Sequence, residues 1–136
     1  FVRHGEIVSG GSTITMQVSR NLFLWNSPSV IRKALEVPLA LYVDLVLPKR
    51  RIMEVYLNVA ETGIGTYGAE SGAQRYFKKS AANLSRVEAA RMAAALPLPK
   101  KRAVNGAGGF TRRYGNSIAA RIGVVKRDGL DSCIYK

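Results

Sequence analysis

Nine carboxylates, one histidine and one cysteine are what this 136-residue sequence offers for acid–base, nucleophilic or metal chemistry. A Ser-His-Asp or Cys-His site would have to use His4, and a multi-His metal site is excluded. Cys133 alone allows no internal disulfide and argues against a Cys-based zinc site. Two short segments carry more. In Gly10-Gly11-Ser12-Thr13-Ile14-Thr15-Met16-Gln17-Val18-Ser19-Arg20-Asn21, a glycine turn leads into a helix start, whose unpaired N–H groups suit an anion. Ser12 and Thr13 add hydroxyls, and Thr13, Gln17 and Arg20 share one helix face by spacing. A capped helix with a solvated polar stripe accounts for the same residues, and on spacing alone it is favoured.

The second segment is Arg32-Lys33-Ala34-Leu35-Glu36. One reading is an exposed helix ion pair between Arg32 and Glu36, worth a few tenths of a kcal/mol. The other is a cationic phosphate site with a carboxylate among guanidinium and ammonium groups; spacing favours the ion pair. The remaining acids are weaker candidates. Glu54 is explained by an i, i+4 pair with Arg50, and Glu88 by a capping box. Glu61 and Glu70 flank a glycine loop, and Glu70 suits a helix N-terminus. Tyr56, Asn58 and Tyr67 suit a cleft lining, although turn chemistry explains Asn58 equally well. Phe23 and Trp25 suit either the core or a membrane interface, and core is the default.

The elements that would position these groups are mostly helices. One is expected over about 13–24, capped at Thr13. The next starts at Ser27-Pro28 with Ser27 as its cap. Its Ile31, Leu35, Leu39, Tyr42, Val43 and Val46 keep helical spacing and should form a buried stripe, with Pro38 kinking the helix. Shorter helices follow over 50–57 and 69–77, separated by a loop over 63–68. Ser85-Arg86-Val87-Glu88 is a capping box opening an Ala-rich helix. A basic loop over 100–109 precedes a last helix over 111–124. No stretch alternates long enough to be a confident strand, so the fold class is all-α.

Composition bounds the rest. The length fits a single domain, 1–136, and 47% apolar residues suit a globular chain. Twenty-one Lys and Arg against 9 acids give +12, a balance favouring nucleic acid, anionic lipid or phosphorylated substrates. No apolar run approaches the ~18 residues of a membrane span. The chain opens on Phe1-Val2-Arg3-His4, without Met, and reads as an internal piece of a longer protein.

Taken in order, the segments resemble the peptidoglycan glycosyltransferases of family 51, and among them the monofunctional biosynthetic transglycosylases. The resemblance rests on Gly10 to Gln17 with Asn21-Leu22-Phe23, on Arg32 to Glu36, and on Lys49-Arg50-Arg51-Ile52-Met53-Glu54-Val55-Tyr56-Leu57-Asn58. It continues in Ala60-Glu61-Thr62-Gly63-Ile64-Gly65-Thr66-Tyr67-Gly68-Ala69-Glu70, Tyr76-Phe77, Leu84, Glu88-Ala89-Ala90 and Leu96-Pro97-Leu98-Pro99. Four motifs in family order over 10–99 outweigh the bland readings; the basic helical segment 100–136 adds little.

The resemblance implies a lysozyme-like helical domain on the periplasmic side of the bacterial inner membrane. It would polymerise lipid II onto a growing glycan strand and release undecaprenyl pyrophosphate. By position, Glu36 matches the family's second catalytic glutamate, and Thr13, Gln17, Arg20 and Arg32 match ligands of the phospho-sugar substrates, helped by Ser12 and Lys33. The resemblance leaves room for Mg or Mn as a cofactor and for other cell-wall synthases as partners; it implies no nucleic acid. Departures are Met16-Gln17 for Gln-Gln, Arg20 for the frequent Lys, and Phe77-Lys78-Lys79 for Phe-Gly-Lys. The family's first motif, with its general-base glutamate, is not matched by Phe1 to Gly5, which lacks an acidic pair before it. On this reading the base lies upstream, Glu6 is not the base, and residues 1–136 alone are expected to be inactive. A lysozyme-like hydrolase using Glu36 as general acid is the second reading, and a basic helical nucleic-acid binder the third.

Overall fold

The computed structural model describes residues 2–3, 6–7, 13–25, 29–105 and 108–135, and these are mostly helical. The helices are α1 (Ile14–Phe23), α2 (Val30–Val46), α3 (Lys49–Val59), α4 (Ala69–Phe77), α5 (Arg86–Ala95), α6 (Gly109–Asp128) and α7 (Ser132–Tyr135), with a 3-10 turn at Ala81–Asn83. Two minimal antiparallel hairpins join them: β1 (Val2–Arg3) with β2 (Glu6–Ile7), and β3 (Glu61–Gly63) with β4 (Thr66–Tyr67). These strands of two or three residues are too short to show alternation. The second hairpin occupies most of what the sequence suggests is a plain loop.

Local chemistry sets the ends. Thr13 caps α1, its Oγ1 accepting from the Met16 N–H at 3.2 Å. Helix α2 begins at Val30 behind an extended Ser29, later than the expected start at Ser27 and Pro28, which lie outside the described residues. Pro38 does not end it. The capping box at Ser85 and Glu88 forms in both directions. Helix α6 extends past its expected bounds and stops on Gly129 at φ 61°, while α7 and the 3-10 turn carry no distinct sequence signal.

The main core joins Val18 of α1, Val43 of α2 and Ile52, Tyr56 and Ala60 at α3. A second cluster gathers Met92, Ala95 and Val104, with Tyr76, Phe77 and Leu84 against it. The apolar stripe expected on α2 is not buried as a stripe. Val43 is in the core, but Ile31, Leu35, Tyr42 and Val46 are exposed and Leu39 is half-buried. The buried face of α2 is instead Glu36, Ala40 and Val43, four and three residues apart. Phe23 and Trp25, expected in the core, are exposed too.

Candidate substrate-binding site

Helix α1 turns Thr15, Val18 and Ser19 inward. Helical geometry then places Thr13, Gln17 and Arg20 on its other side, with Thr13 exposed and Gln17 and Arg20 half-buried. Seven residues at 1.5 Å of rise spread this polar row over ~10 Å. Thr15 at the start of α1 donates to Asp44 near the end of α2 at 3.0 Å, and Val18 shares a core cluster with Val43 of α2. Arg20 is in the last turn of α1; the second candidate group lies in the first turns of α2.

Those first turns hold Glu36. It is 1% exposed, and each carboxylate oxygen has its own cation: Oε1 accepts from Arg32, and Oε2 from Lys33 at 2.7 Å. A buried charge is tolerated only when paired and hydrogen-bonded, which explains why this face of an apolar helix carries two cations one turn before the acid. The Arg32 side chain is 16% exposed and that of Lys33 52%, so the cations reach from the buried carboxylate towards the surface. Arg32, Lys33 and Glu36 thus form one cluster, and Thr13, Gln17 and Arg20 a row on the adjacent helix. Ser12 lies outside the described residues.

Six other acids are committed elsewhere. Glu54 pairs with Arg51 at 2.7 Å, not with Arg50 as spacing suggests. Glu61 stands 3.8 Å from Lys100. Glu70 accepts from Gln74, Ser80 and the Ala81 N–H, and the Gln74 bond first among these holds its pKa low. Glu88 accepts from the Ser85 N–H and Lys79, and the backbone bond leads in pushing it down to about 2. Asp128 pairs with Arg127. Of the proposed cleft row, Tyr56 is core, with burial raising its pKa. Asn58 donates back to the Glu54 carbonyl, and Tyr67 is exposed.

Two features escape the sequence reading. One is a brace on the β3–β4 hairpin: Arg75 donates to the Ile64 carbonyl at 2.7 Å and to the Thr66 hydroxyl, and Tyr76 Oη donates to the Thr62 carbonyl at 3.1 Å. The other is the Asp44 junction, where Lys49 at the start of α3 donates to the same oxygen as Thr15, at 2.6 Å. The Lys49 bond is the main cause of a lowered Asp44 pKa.

Among the described residues no three His, Cys, Asp or Glu side chains gather as a metal site. With a cation already on each oxygen of Glu36, this donor set does not fit a protein-held divalent ion. Nor is any helix among the described residues long and apolar enough to cross a membrane. What the cluster and row can do is present guanidinium, ammonium, amide and hydroxyl donors to an extended anion.

Sequence comparison agrees with that chemistry. A family model described as Transglycosylase matches residues 1–122. The chain is 54% identical over 121 residues to the biosynthetic peptidoglycan transglycosylase of Rhodopseudomonas palustris strain TIE-1, covering 88% of this chain and 51% of that protein. It is 50% identical over 137 residues to the protein so named in Rhizobium etli, covering 97% and 56%. With that of Rhizobium meliloti strain 1021 it shares 48% over 131 residues, covering 96% and 55%. The chain thus spans about half the length of the curated relatives it matches.

Proposed function

Because the chain belongs to the transglycosylase family, we propose that it forms the substrate-binding half of a peptidoglycan glycosyltransferase acting in cell-wall synthesis. In this reading the enzyme polymerises lipid II into glycan strands at the outer face of the cytoplasmic membrane and releases undecaprenyl pyrophosphate. The observation that carries it is the buried Glu36 between Arg32 and Lys33. A diphosphate leaving group gains negative charge as the anomeric bond breaks, and fixed cations there act where the charge develops. Arg32 and Arg20 offer paired N–H donors to phosphate oxygens, Lys33 a point charge, and Thr13 and Gln17 neutral donors along the row. Glu36 holds Arg32 and Lys33 apart and oriented. The net charge of +12 favours an anionic membrane surface, where the lipid-linked substrate resides.

The acceptor hydroxyl must also lose a proton. Glu36, Asp44, Glu54, Glu61, Glu70, Glu88 and Asp128 are each engaged in an ion pair or hydrogen bond, and we assign that base to a group other than these seven.

The test uses labelled lipid II with the full-length protein and with residues 1–136, side by side. The full-length protein should build polymer. Residues 1–136, if they bind lipid II, should make none, since general-base help supplies ~100- to 10,000-fold. Arg20→Ala or Arg32→Ala should weaken lipid II binding, with Lys restoring only part. Shortened glycan in place of polymer would point to a hydrolase, and preference for DNA over lipid II to a nucleic-acid binder. Unchanged affinity in both Ala variants would remove the phosphate clamp.

A further inference from the structure

Between Glu36 and Lys49 the sequence has one charged residue, Asp44, inside the apolar run Val37-Pro38-Leu39-Ala40-Leu41-Tyr42-Val43-Asp44-Leu45-Val46-Leu47. Nothing in helix propensity or core packing asks for a carboxylate there. Its place in the fold supplies a reason. Asp44 Oδ1 accepts from Thr15 Oγ1 at 3.0 Å and from Lys49 Nζ at 2.6 Å, so one oxygen ties α1, α2 and α3 at a single point. Thr15 is itself buried, and its carbonyl accepts from Ser19 Oγ at 2.9 Å. The hydroxyl of Thr15 is thus committed to a neighbouring helix and not to its own backbone.

We propose that Thr15, Asp44 and Lys49 are positioning residues that fix the rotation and axial placement of α1, and with it the Thr13–Gln17–Arg20 row, relative to the Arg32–Lys33–Glu36 cluster. The proposal rests on the glycosyltransferase reading given above. Thr15 is on the opposite side of α1 from the row, so it acts through the helix and not by touching substrate. A rigid helix converts a small rotation at Thr15 into displacement along the whole row. Apolar packing of Val18 alone resists such rotation poorly, because the hydrophobic effect is non-directional. A hydrogen bond to a charged acceptor is directional and about twice as strong as a neutral one. A displacement of 1 Å in a binding group can cost ~100-fold in rate; here a smaller shift is expected, since Val18 still packs.

The experiment compares Thr15→Val, Thr15→Ser, Asp44→Asn, Lys49→Met and the Thr15→Val/Asp44→Asn pair in the full-length protein, reading Tm, and KM and kcat for lipid II. Thr15→Val keeps volume and removes the donor, and should raise KM about 10-fold. Thr15→Ser should return KM to within twofold of the parent. The double variant should fall short of the sum of the two single variants, because Thr15→Val deletes the bond whose charged acceptor Asp44→Asn makes neutral. Lys49→Met and Asp44→Asn are changes at partly exposed positions that leave the core intact, and should raise KM in the same direction. An additive double variant, no rescue by Ser, or a fall in Tm with KM unchanged would each overturn the proposal. A parent protein that makes no polymer from lipid II would instead overturn the glycosyltransferase reading, and is told apart by its absence of turnover before any substitution.

Discussion

Glu36→Gln separates the stabilising part of the α2 cluster from its chemical part. The substitution keeps shape but removes charge, and turns one acceptor oxygen into an NH2 facing another donor. Removing one partner of a fully buried ion pair costs about 3–5 kcal/mol, whereas exposed pairs are worth under about 1 kcal/mol. This cluster lies between those limits: Glu36 is buried, Arg32 mostly covered, and Lys33 half in water. Lys33 can turn to solvent at little cost, while Arg32 loses its partner in a largely covered position. The expected loss is therefore about 2–3 kcal/mol, or a fall in Tm of about 10 °C for a domain of this size. Polymerisation should fall at least ~100-fold, a typical loss for a positioned charge at a reaction centre. Thermal unfolding by circular dichroism and labelled lipid II turnover measure the two effects in the full-length protein. Arg32→Gln/Glu36→Gln should recover part of the stability, because no charge is left stranded, yet recover no activity. Near-normal turnover of Glu36→Gln would reduce the cluster to a structural ion pair. A Tm within 2 °C of the parent would show that the buried Glu36–Arg32 pair contributes little to stability.

Acid should destabilise the fold through Glu88, whose pKa is about 2 in the folded chain against an ordinary 4.5. Its stabilisation is complete above about pH 4.5 and disappears as pH falls towards 2; Glu70 and Asp44 are lowered in the same direction. A Tm-versus-pH series should steepen below pH 5, and less so in Glu88→Gln; identical profiles would refute the assignment. Gly68→Ala should cost about 2–4 kcal/mol, since φ there is 87° and an added Cβ would stand 2.8 Å from the Asn58 carbonyl oxygen of α3. A denaturant midpoint equal to the parent's would show that the β4–α4 junction yields.

What the sequence discloses follows the range of the forces involved. The bounds of α4 and the capping box at Ser85 and Glu88 rest on contacts within a few residues, and both are legible. So is the grouping of Arg32, Lys33 and Glu36, although its burial is not. The inward face of α2 depends on what lies across it. Val30, Ile31, Leu41 and Leu45 are as apolar as Val43, so periodicity cannot choose among them. Glu54 had two arginines within reach, and spacing alone could not decide for Arg51. Asp44 did leave a trace, a lone charge in an apolar run, whose meaning appears only when Thr15, 29 positions earlier, is brought beside it. The β3–β4 hairpin is held by Arg75 and Tyr76 from the following helix, a tertiary brace that no alternation reports.

The outward apolar side of α2, with Val30 87% and Leu45 86% exposed, shares one molecule with a net charge of +12. These act over different distances. Repulsion between copies reaches ~30 Å in 0.01 M salt but only ~8 Å at 0.15 M, while apolar attraction acts only near contact. The chain is thus a colloid with an adhesive face guarded by its own counter-ion atmosphere. Dilute buffer keeps copies apart, and added salt, which keeps many basic proteins from binding nonspecifically, removes the guard and leaves adhesion in charge. A surface at once basic and apolar is for that reason poorly suited to concentrated saline solution.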